Sequence, residues 1–388
     1  MTRPGVSLLS QRNYDPDAVL ARLRELLRPL GGMEHFVPKG ARVILKPNLV
    51  YGRHADKAIN THPSVVRAAA LLAREAGAGW LGLGDSPGFG SAASAARASG
   101  LLPVAEETGA ELVEFTPVPD TDEKRSFVRL ELAKELLEAD VIINLAKMKT
   151  HGQMLMTLAV KNMFGAVPGA RKFQWHYRAG RDRMLFARVI NEIARRVRPD
   201  LNILDAVVGM DGMGPTAGRA RPVGFLAASP DAWALDATVM DLLGVRREEL
   251  FTLADAFKDG HTDWCEPTLY GDPPDILRPD DWRIPQLRTL QMHGKTIEKY
   301  LPGLAAWLRR KITPVPKAGA ACTGCGYCAE ICPAKAMHIR NGKVSIDEAT
   351  CIRCYCCHEL CQQHGLDMEA GGFIARLLGI KDSTSHGS

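Results

Sequence analysis

Eight cysteines near the C-terminus carry the clearest chemical signal in the chain. Cys322, Cys325, Cys328 and Cys332, followed by Pro333, form one run, and Cys351, Cys354, Cys357 and Cys361 form a second; both are spaced C-x2-C-x2-C-x3-C. Three thiolates on one tight loop can hold three irons of a four-iron cube, and the fourth iron then needs a cysteine returned from elsewhere in the chain. Each run therefore serves two clusters, and the chemistry expected is one-electron transfer at two [4Fe-4S] centres. C-x2-C pairs also hold structural zinc, a reading that two four-member runs with a proline after the fourth cysteine fit poorly. Gly324 and Gly326 let the backbone wrap close to the sulfurs, and Met337 to Arg340, Asn341-Gly342 and Val344 to Ile346 read as a hairpin with an Asn-Gly turn. The second run departs in two ways: Gln362 stands where a proline would follow, and Cys356 is an extra thiol beside a ligand, read as a spare buried cysteine.

This segment, residues 319–369, resembles a bacterial-type ferredoxin module with two [4Fe-4S] clusters. The resemblance implies that the remote cysteine of each run crosses over. Cys322, Cys325, Cys328 and Cys361 would then hold one cluster, and Cys351, Cys354, Cys357 and Cys332 the other.

A second set of chemical residues lies upstream: Lys46 and Asn48; Gly84, Asp85, Ser86 and Gly88; Lys147, Lys149 and His151; Lys161 and Asn162; and the stretch from Asp205 to Gly218. The elements that must position them are read from apolar runs and periodicity. Strands are expected at Ala41 to Lys46, Trp80 to Gly84, Glu111 to Phe115, Asp140 to Leu145, Leu201 to Val208 and Val223 to Ala227. Helices are expected at His62 to Ala76, Ser91 to Ser99, Met154 to Lys161, Met184 to Arg195 and Pro230 to Leu243. Alternating strands and helices with continuous apolar strands give an α/β fold, a mostly parallel sheet with helices on both faces, followed by a small α+β ferredoxin-like two-cluster domain.

Ligands of open parallel sheets bind beyond the carboxyl ends of the strands, so these polar segments are expected to share one crevice. Four lysines around one crevice would repel one another without an anion, and the glycines from 84 to 90 offer backbone N–H groups to the same kind of ligand. The expected ligand is a carboxylate or phosphate compound: an anionic small molecule, a flavin, a deazaflavin or a nucleotide. The glycines make neither G-x-G-x-x-G nor a P-loop, which disfavours the common dinucleotide and NTPase sites. His151 is read as a general acid or base, a metal ligand or a satisfied structural histidine.

The segments VILKPNLV, INTHPSVVRA, LGDSPGFG, ADVIINLAKMKTHGQMLMTLAVKNMFGAVPG and GMDGMGP resemble the prokaryotic iron-sulfur-centre family called domain-of-unknown-function family 362, over roughly residues 40 to 245. The resemblance supports the division into an α/β domain and an iron-sulfur module, and it implies no reaction.

The 388 residues divide as an α/β domain over 1–295, a helix and Pro-containing linker over 296–318, the cluster module over 319–369 and a tail over 370–388. No apolar run is long enough for a secretory signal or a spanning helix, and cysteines at metal-ligand spacing suit a reducing compartment, so a cytoplasmic location is expected. The formal charge of +5 would fall to roughly +1 with two clusters bound, so nucleic-acid binding is not expected. Nine basic residues crowd into 171–198, among them Arg171, Lys172, Arg178, Arg181, Arg195 and Arg196. They read as a solvated face, an anion pocket or a docking face for an acidic redox partner protein.

Three functions follow from these readings. The first is an iron-sulfur electron-transfer protein or oxidoreductase with an anionic ligand in the crevice. The second is an electron carrier that docks to a partner enzyme through the basic segment. The third is a non-redox isomerase or lyase using Lys147, Lys149 and His151. Trp307 to Lys311 and the tail Phe373 to Ile380 are read as packing on the domain, with contact to a membrane surface or a partner helix as the alternative.

Overall fold

Arg42–Pro47 reads RVILKP, and its alternate residues point to opposite sides, Val43 and Leu45 into one hydrophobic cluster and Ile44 into another. Such a strand is stable only where both faces are covered. The computed structural model describes residues 3–88, 90–120, 130–260, 266–285 and 314–369. The helix expected from Thr296 to Lys311, the segment 373–380 and Cys265 lie outside the described residues.

In chain order the first strands are β1 (Gly5–Ser10), β2 (Arg42–Pro47), β3 (Trp80–Gly84), β4 (Glu111–Val113), β5 (Pro117–Pro119), β6 (Glu131–Ala133), β7 (Val141–His151) and β8 (Leu155–Thr157). Then come β9 (Leu201–Asp211), β10 (Arg219–Ser229) and β11 (Thr268–Gly271), and in the C-terminal module β12 (Val315–Ala318), β13 (Met337–Arg340), β14 (Lys343–Ile346) and β15 (Leu366–Glu369). One nine-stranded sheet has the order β11-β1-β10-β9-β7-β2-β3-β4, with β8 folded back on β7. The run from β9 to β4 is parallel, as is the β1–β11 edge, while β10 is antiparallel to both its neighbours.

Helices Pro16–Leu27, Pro63–Ala76 and Leu101–Thr108 cover one face, and Arg183–Val197, Ala232–Leu242 and Phe251–Lys258 the other. The Pro63–Ala76 helix shows why such segments fold locally. Proline occupies its first turn, the His62 side chain accepts from Ser64 N, and Gly77 at φ 103° ends it. Val65, Ala69, Leu72 and Ala73 bury its apolar stripe.

The chain lays β3 and β4 outward from β2, then returns to place β7 and β9 on the other side of β2. Connections leave β2 and β7 in opposite directions, which opens a crevice at their carboxyl ends.

Several expectations are corrected. Met154 to Lys161 is not one helix: Leu155–Thr157 forms β8, and only Ala159–Asn162 is helical. The apolar run MLMTLAV has no period that separates the two, and the long β7 supplies a pairing edge. β7 continues six residues beyond Leu145, so Lys147, Lys149 and His151 sit within a strand and not in a following loop. Helix Phe251–Lys258 is absent from the helices expected above; it has no side-chain N-cap to announce it. Val315–Ala318, read as linker, pairs with β15 and belongs to the C-terminal module's sheet.

That module repeats itself at 29 positions. Positive φ recurs from 324 to 353, from 326 to 355 and from 335 to 364. The expected hairpin is present as β13 and β14, turned by Asn341 and Gly342 at φ 49° and 71°. The short helices Tyr327–Glu330 and Cys356–Glu359 keep the same offset.

Candidate functional site

Each half of the repeat carries one cysteine run, and the fold brings the runs together across it. Cys328 feels the charges of Cys325, Cys361 and Cys322, while Cys351 feels Cys354 and Cys332. Cys357 stands among Cys354, Cys351, Cys332 and Cys328. The assignment of the eight to two crossed groups stays what the resemblance implies. Burial, reinforced by neighbouring sulfurs, pushes the Cys328 thiol up to about 11 and the Cys357 thiol well above its usual value. Four clustered thiolates are tenable only with a positive group among them.

The backbone also favours sulfur charge: Ala336 N–H donates to Cys332 Sγ at 3.3 Å and Gly365 N–H to Cys361 Sγ at 3.2 Å. Among the described residues no three His, Cys, Asp or Glu side chains converge on a single metal ion. A tetrahedral zinc with Zn–S of about 2.3 Å would need sulfurs about 3.8 Å apart, whereas a four-iron cube takes a wider set. The donor type and the N–H···S bonds to Cys332 and Cys361 are the chemistry that iron-sulfur ligands require.

The second run packs against the α/β domain. Leu360, Tyr327 and Ile331 join Tyr51, Ile59 and Met210 in one apolar cluster. Thr216 Oγ1 donates to Glu359 O at 2.7 Å, Arg181 Nη2 to Cys351 O at 2.8 Å, and Arg53 to Gln362 O. Tyr355 is buried at φ 62° where the first run has Gly326; its Oη donates to Pro314 O at 3.1 Å, and Arg183 lies close enough to act on it.

Between the two parts lies a cavity of about 110 Å³, at the carboxyl ends of β2 and β7. Asn48, Asp85, Ser86, Gly88, Lys149, His151, Lys161 and Asn162 line it, as the sequence suggests. Lys46, Lys147 and Gly84 do not. Lys46 sits behind the wall, 2.9 Å from Asp85 Oδ1 and donating to Asn162 O at 2.8 Å. Lys147 Nζ lies 2.7 Å from Asp205 Oδ2, and that carboxylate also accepts from Tyr14 Oη and His62 N. Two of the four lysines are thus neutralised by buried carboxylates and need no ligand. A side chain at Gly84 would strike Phe115 and the Val113 carbonyl, so that glycine serves strand packing.

Lys149 Nζ donates to Asn48 Oδ1 and Ile59 O, both at 2.6 Å. Burial holds it well below the usual lysine range. Lys161 stands 5.0 Å from the Phe164 ring centre and is also lowered by burial. Its place is set by Asp236, whose two oxygens accept from Ala159 N and Val160 N at the start of its short helix. His151 Nδ1 accepts from Gln153 N and Met154 N, so the neutral ring carries its proton on Nε2, 3.3 Å from Glu359 Oε1. Burial pushes Glu359 up to about 7, against the pull of Lys161 and Lys149.

Sequence reasoning placed Pro215 here within the Asp205 to Gly218 stretch, but not Lys172, His176, Thr157, Phe164, Phe173 or the module's Cys356, Glu359 and Leu360. Lys172 was visible only as part of the basic run. It donates to Ser86 O, and burial brings it to about 7. Much of that run is paired internally: Arg171 with Glu131, Arg188 with Asp255, Arg195 with Asp259 and Arg196 with Asp120. Cys356 is a buried neighbour of Cys354 and faces the cavity, so it is more than a spare core thiol.

Fold and site define a class: a mostly parallel α/β domain whose switch-point crevice is lined with lysines and roofed by a small two-run cysteine module. Residues 43–241 match the family described as Domain of unknown function (DUF362), and the chain belongs to that family. Thylakoid-associated protein sll1697 of Synechocystis sp. is 43% identical over 283 residues, 73% of this chain and 88% of that protein. A solved Thermotoga maritima protein aligns at a TM-score of 0.36 with 11% identity over 55% of each chain, a likeness too slight to carry an argument.

Proposed function

We propose that the protein is an iron-sulfur electron-transfer protein or oxidoreductase in which two [4Fe-4S] clusters exchange electrons with an anionic ligand in the crevice. The observation that carries this reading is the dual role of one loop: Cys351 to Cys361 contains the second cysteine run and also closes the cavity through Cys356, Glu359 and Leu360. When bound, the clusters supply one-electron transfer. The cysteines and backbone N–H groups hold them, Cys322, Cys325, Cys328 and Cys361 on the outer side and Cys351, Cys354, Cys357 and Cys332 on the inner. Cys325 is exposed while Cys354 and Cys357 are buried, Cys357 in the module's own core, and Cys356 between them lines the cavity, so a partner protein meets the outer group and the cavity meets the inner.

Lys149, Lys161 and Lys172 hold the ligand's charge, Leu360 excludes water, and His151 keeps a proton at Nε2 beside Glu359. A cavity of about 110 Å³ is small beside the roughly 300–1,000 Å³ of drug-sized sites. That supports a small anion over a flavin, deazaflavin or nucleotide. Pairing of Arg171, Arg188, Arg195 and Arg196 with acids leaves less free charge for a docking face there. A cytoplasmic location belongs to this proposal, and the relative's name adds association with a membrane surface; among the described residues no helix is long and apolar enough to cross one.

Native mass spectrometry and iron analysis of protein purified without oxygen test the reading. About eight irons per chain are expected, falling by about half in Cys354→Ala. Zinc, or iron unaltered by that substitution, would refute it.

A further inference from the structure

We infer that the cavity binds a compact oxyanion of two negative charges, of the carboxylate or phosphate type, which bridges the two modules with Lys161 as its central contact. The inference rests on the crevice reading above and names the ligand's class.

The charge inventory comes first. Three ammonium groups, Lys149, Lys161 and Lys172, face the cavity. The contacts of Lys149 and Lys172 are to neutral oxygens. Lys161 rests against the Phe164 and Phe186 rings and, among the described residues, has no carboxylate at ion-pair distance. Asp85 is committed to Lys46, which leaves Glu359 as the one uncommitted carboxylate among the lining residues. With all three lysines protonated the lining holds an excess of about two positive charges; burial opposes that state, and an entering counter-charge stabilises it.

A second observation points the same way. His176 is buried, and its Nδ1 has no hydrogen-bond partner. Lys161 and Lys172 both act on it, and together with burial they bring it to about 3, so the ring is neutral and can present Nδ1–H to an oxygen. Ligand shape follows from the donors. Lysines are point charges without the planar fork of arginine, so they accept a compact oxyanion of either geometry. A cavity of about 110 Å³ suits such a compact group better than one with an attached nucleoside.

Bridging follows from the walls. The lysines and His176 belong to the α/β domain, whereas Cys356 and Glu359 lie opposite on the cysteine module, both near enough to act on Lys161. An anion on Lys161 therefore lies at the seam of the two parts, held by the lysines and within reach of the Cys356 side chain, while ionised Glu359 opposes it.

Calorimetry and amide hydrogen exchange on the full-length holoprotein test this, with sulfate and malonate as probes. One site is expected, with affinity at least tenfold weaker in Lys161→Gln and Lys172→Met and unchanged in the exposed Lys57→Met. The tighter probe identifies a tetrahedral or a dicarboxylate ligand. In the wild type, where no variant can misfold, the probe should slow exchange both in 158–176 and in 351–361. Absence of binding by both probes, binding that ignores both lysines, or protection on one wall alone would overturn the inference. Iron content and redox response of the same sample keep the two proposals apart. Anion binding without redox-active iron refutes the electron-transfer reading only, and redox-active iron without anion binding refutes this one only.

Discussion

Tyr355 shows how opposing effects are weighed at a single residue. Its φ of 62° is one that an L side chain adopts at a cost of roughly 1–2 kcal/mol, and its repeat mate is Gly326. Removing a buried aromatic costs about 3–5 kcal/mol, so packing against Arg183 and the α/β domain wins. Tyr355→Gly should therefore destabilise the docked module despite relieving strain, by a net of about 1–4 kcal/mol, seen in denaturant unfolding. Lys172 gives a pH prediction. The groups facing it are Lys46, Lys161 and Asp85, with His176 beside it, and burial brings its pKa to about 7. Only the protonated amine attracts an anion, so binding is strongest below about pH 7 and weakens as pH rises through that value. Sulfate, whose charge is constant over this range, should show the weakening in the wild type, and Lys172→Met should flatten it. Glu359, also near 7, acts in the same direction by losing its charge on acidification, and what slope remains in Lys172→Met reports that carboxyl.

At the scale of elements, the short helix Ala159–Asn162 depends on a residue far away in sequence. Asp236 satisfies two of its buried N–H groups, at 2.8 and 3.1 Å. Asp236→Ala leaves both unpaired at about 1–3 kcal/mol each, and it should weaken sulfate binding by displacing Lys161, which calorimetry beside an unfolding curve can separate. Such dependence explains what the sequence could and could not disclose. The strands β2, β3, β7 and β9 and the long amphipathic helices were legible, because local periodicity determines them. β8 was read as helix, and β1 with the helix after it went unread, because their pairing is decided by β7 and by β10, more than 200 residues away from β1. The site residues at strand ends were legible through the rule for open sheets. The pairing of Lys46 with Asp85 and of Lys147 with Asp205 was not, since it depends on which side of a strand each lysine leaves.

The whole molecule adds what neither part displays alone: the roof over the cavity. Eight of eleven expected crevice residues line it, but Cys356, Glu359 and Leu360 were hidden because nothing in their spacing says that the cysteine module folds back over the switch point. Leu360 is the main apolar contact of that roof, 5% exposed and packed with Tyr51 and Ile59. Leu360→Ala should cost about 2–5 kcal/mol of docking and speed proteolysis within 351–361 while leaving the α/β domain folded, as circular dichroism would report. The central claim is that inner cluster and anion share one electrostatic environment. A potentiometric titration of the holoprotein without oxygen, followed by electron paramagnetic resonance with and without sulfate, tests it most directly. Two one-electron couples are predicted, one of which moves to lower potential when the anion is present. Loss of any iron-sulfur signal, or two couples that both ignore the anion, would contradict the account.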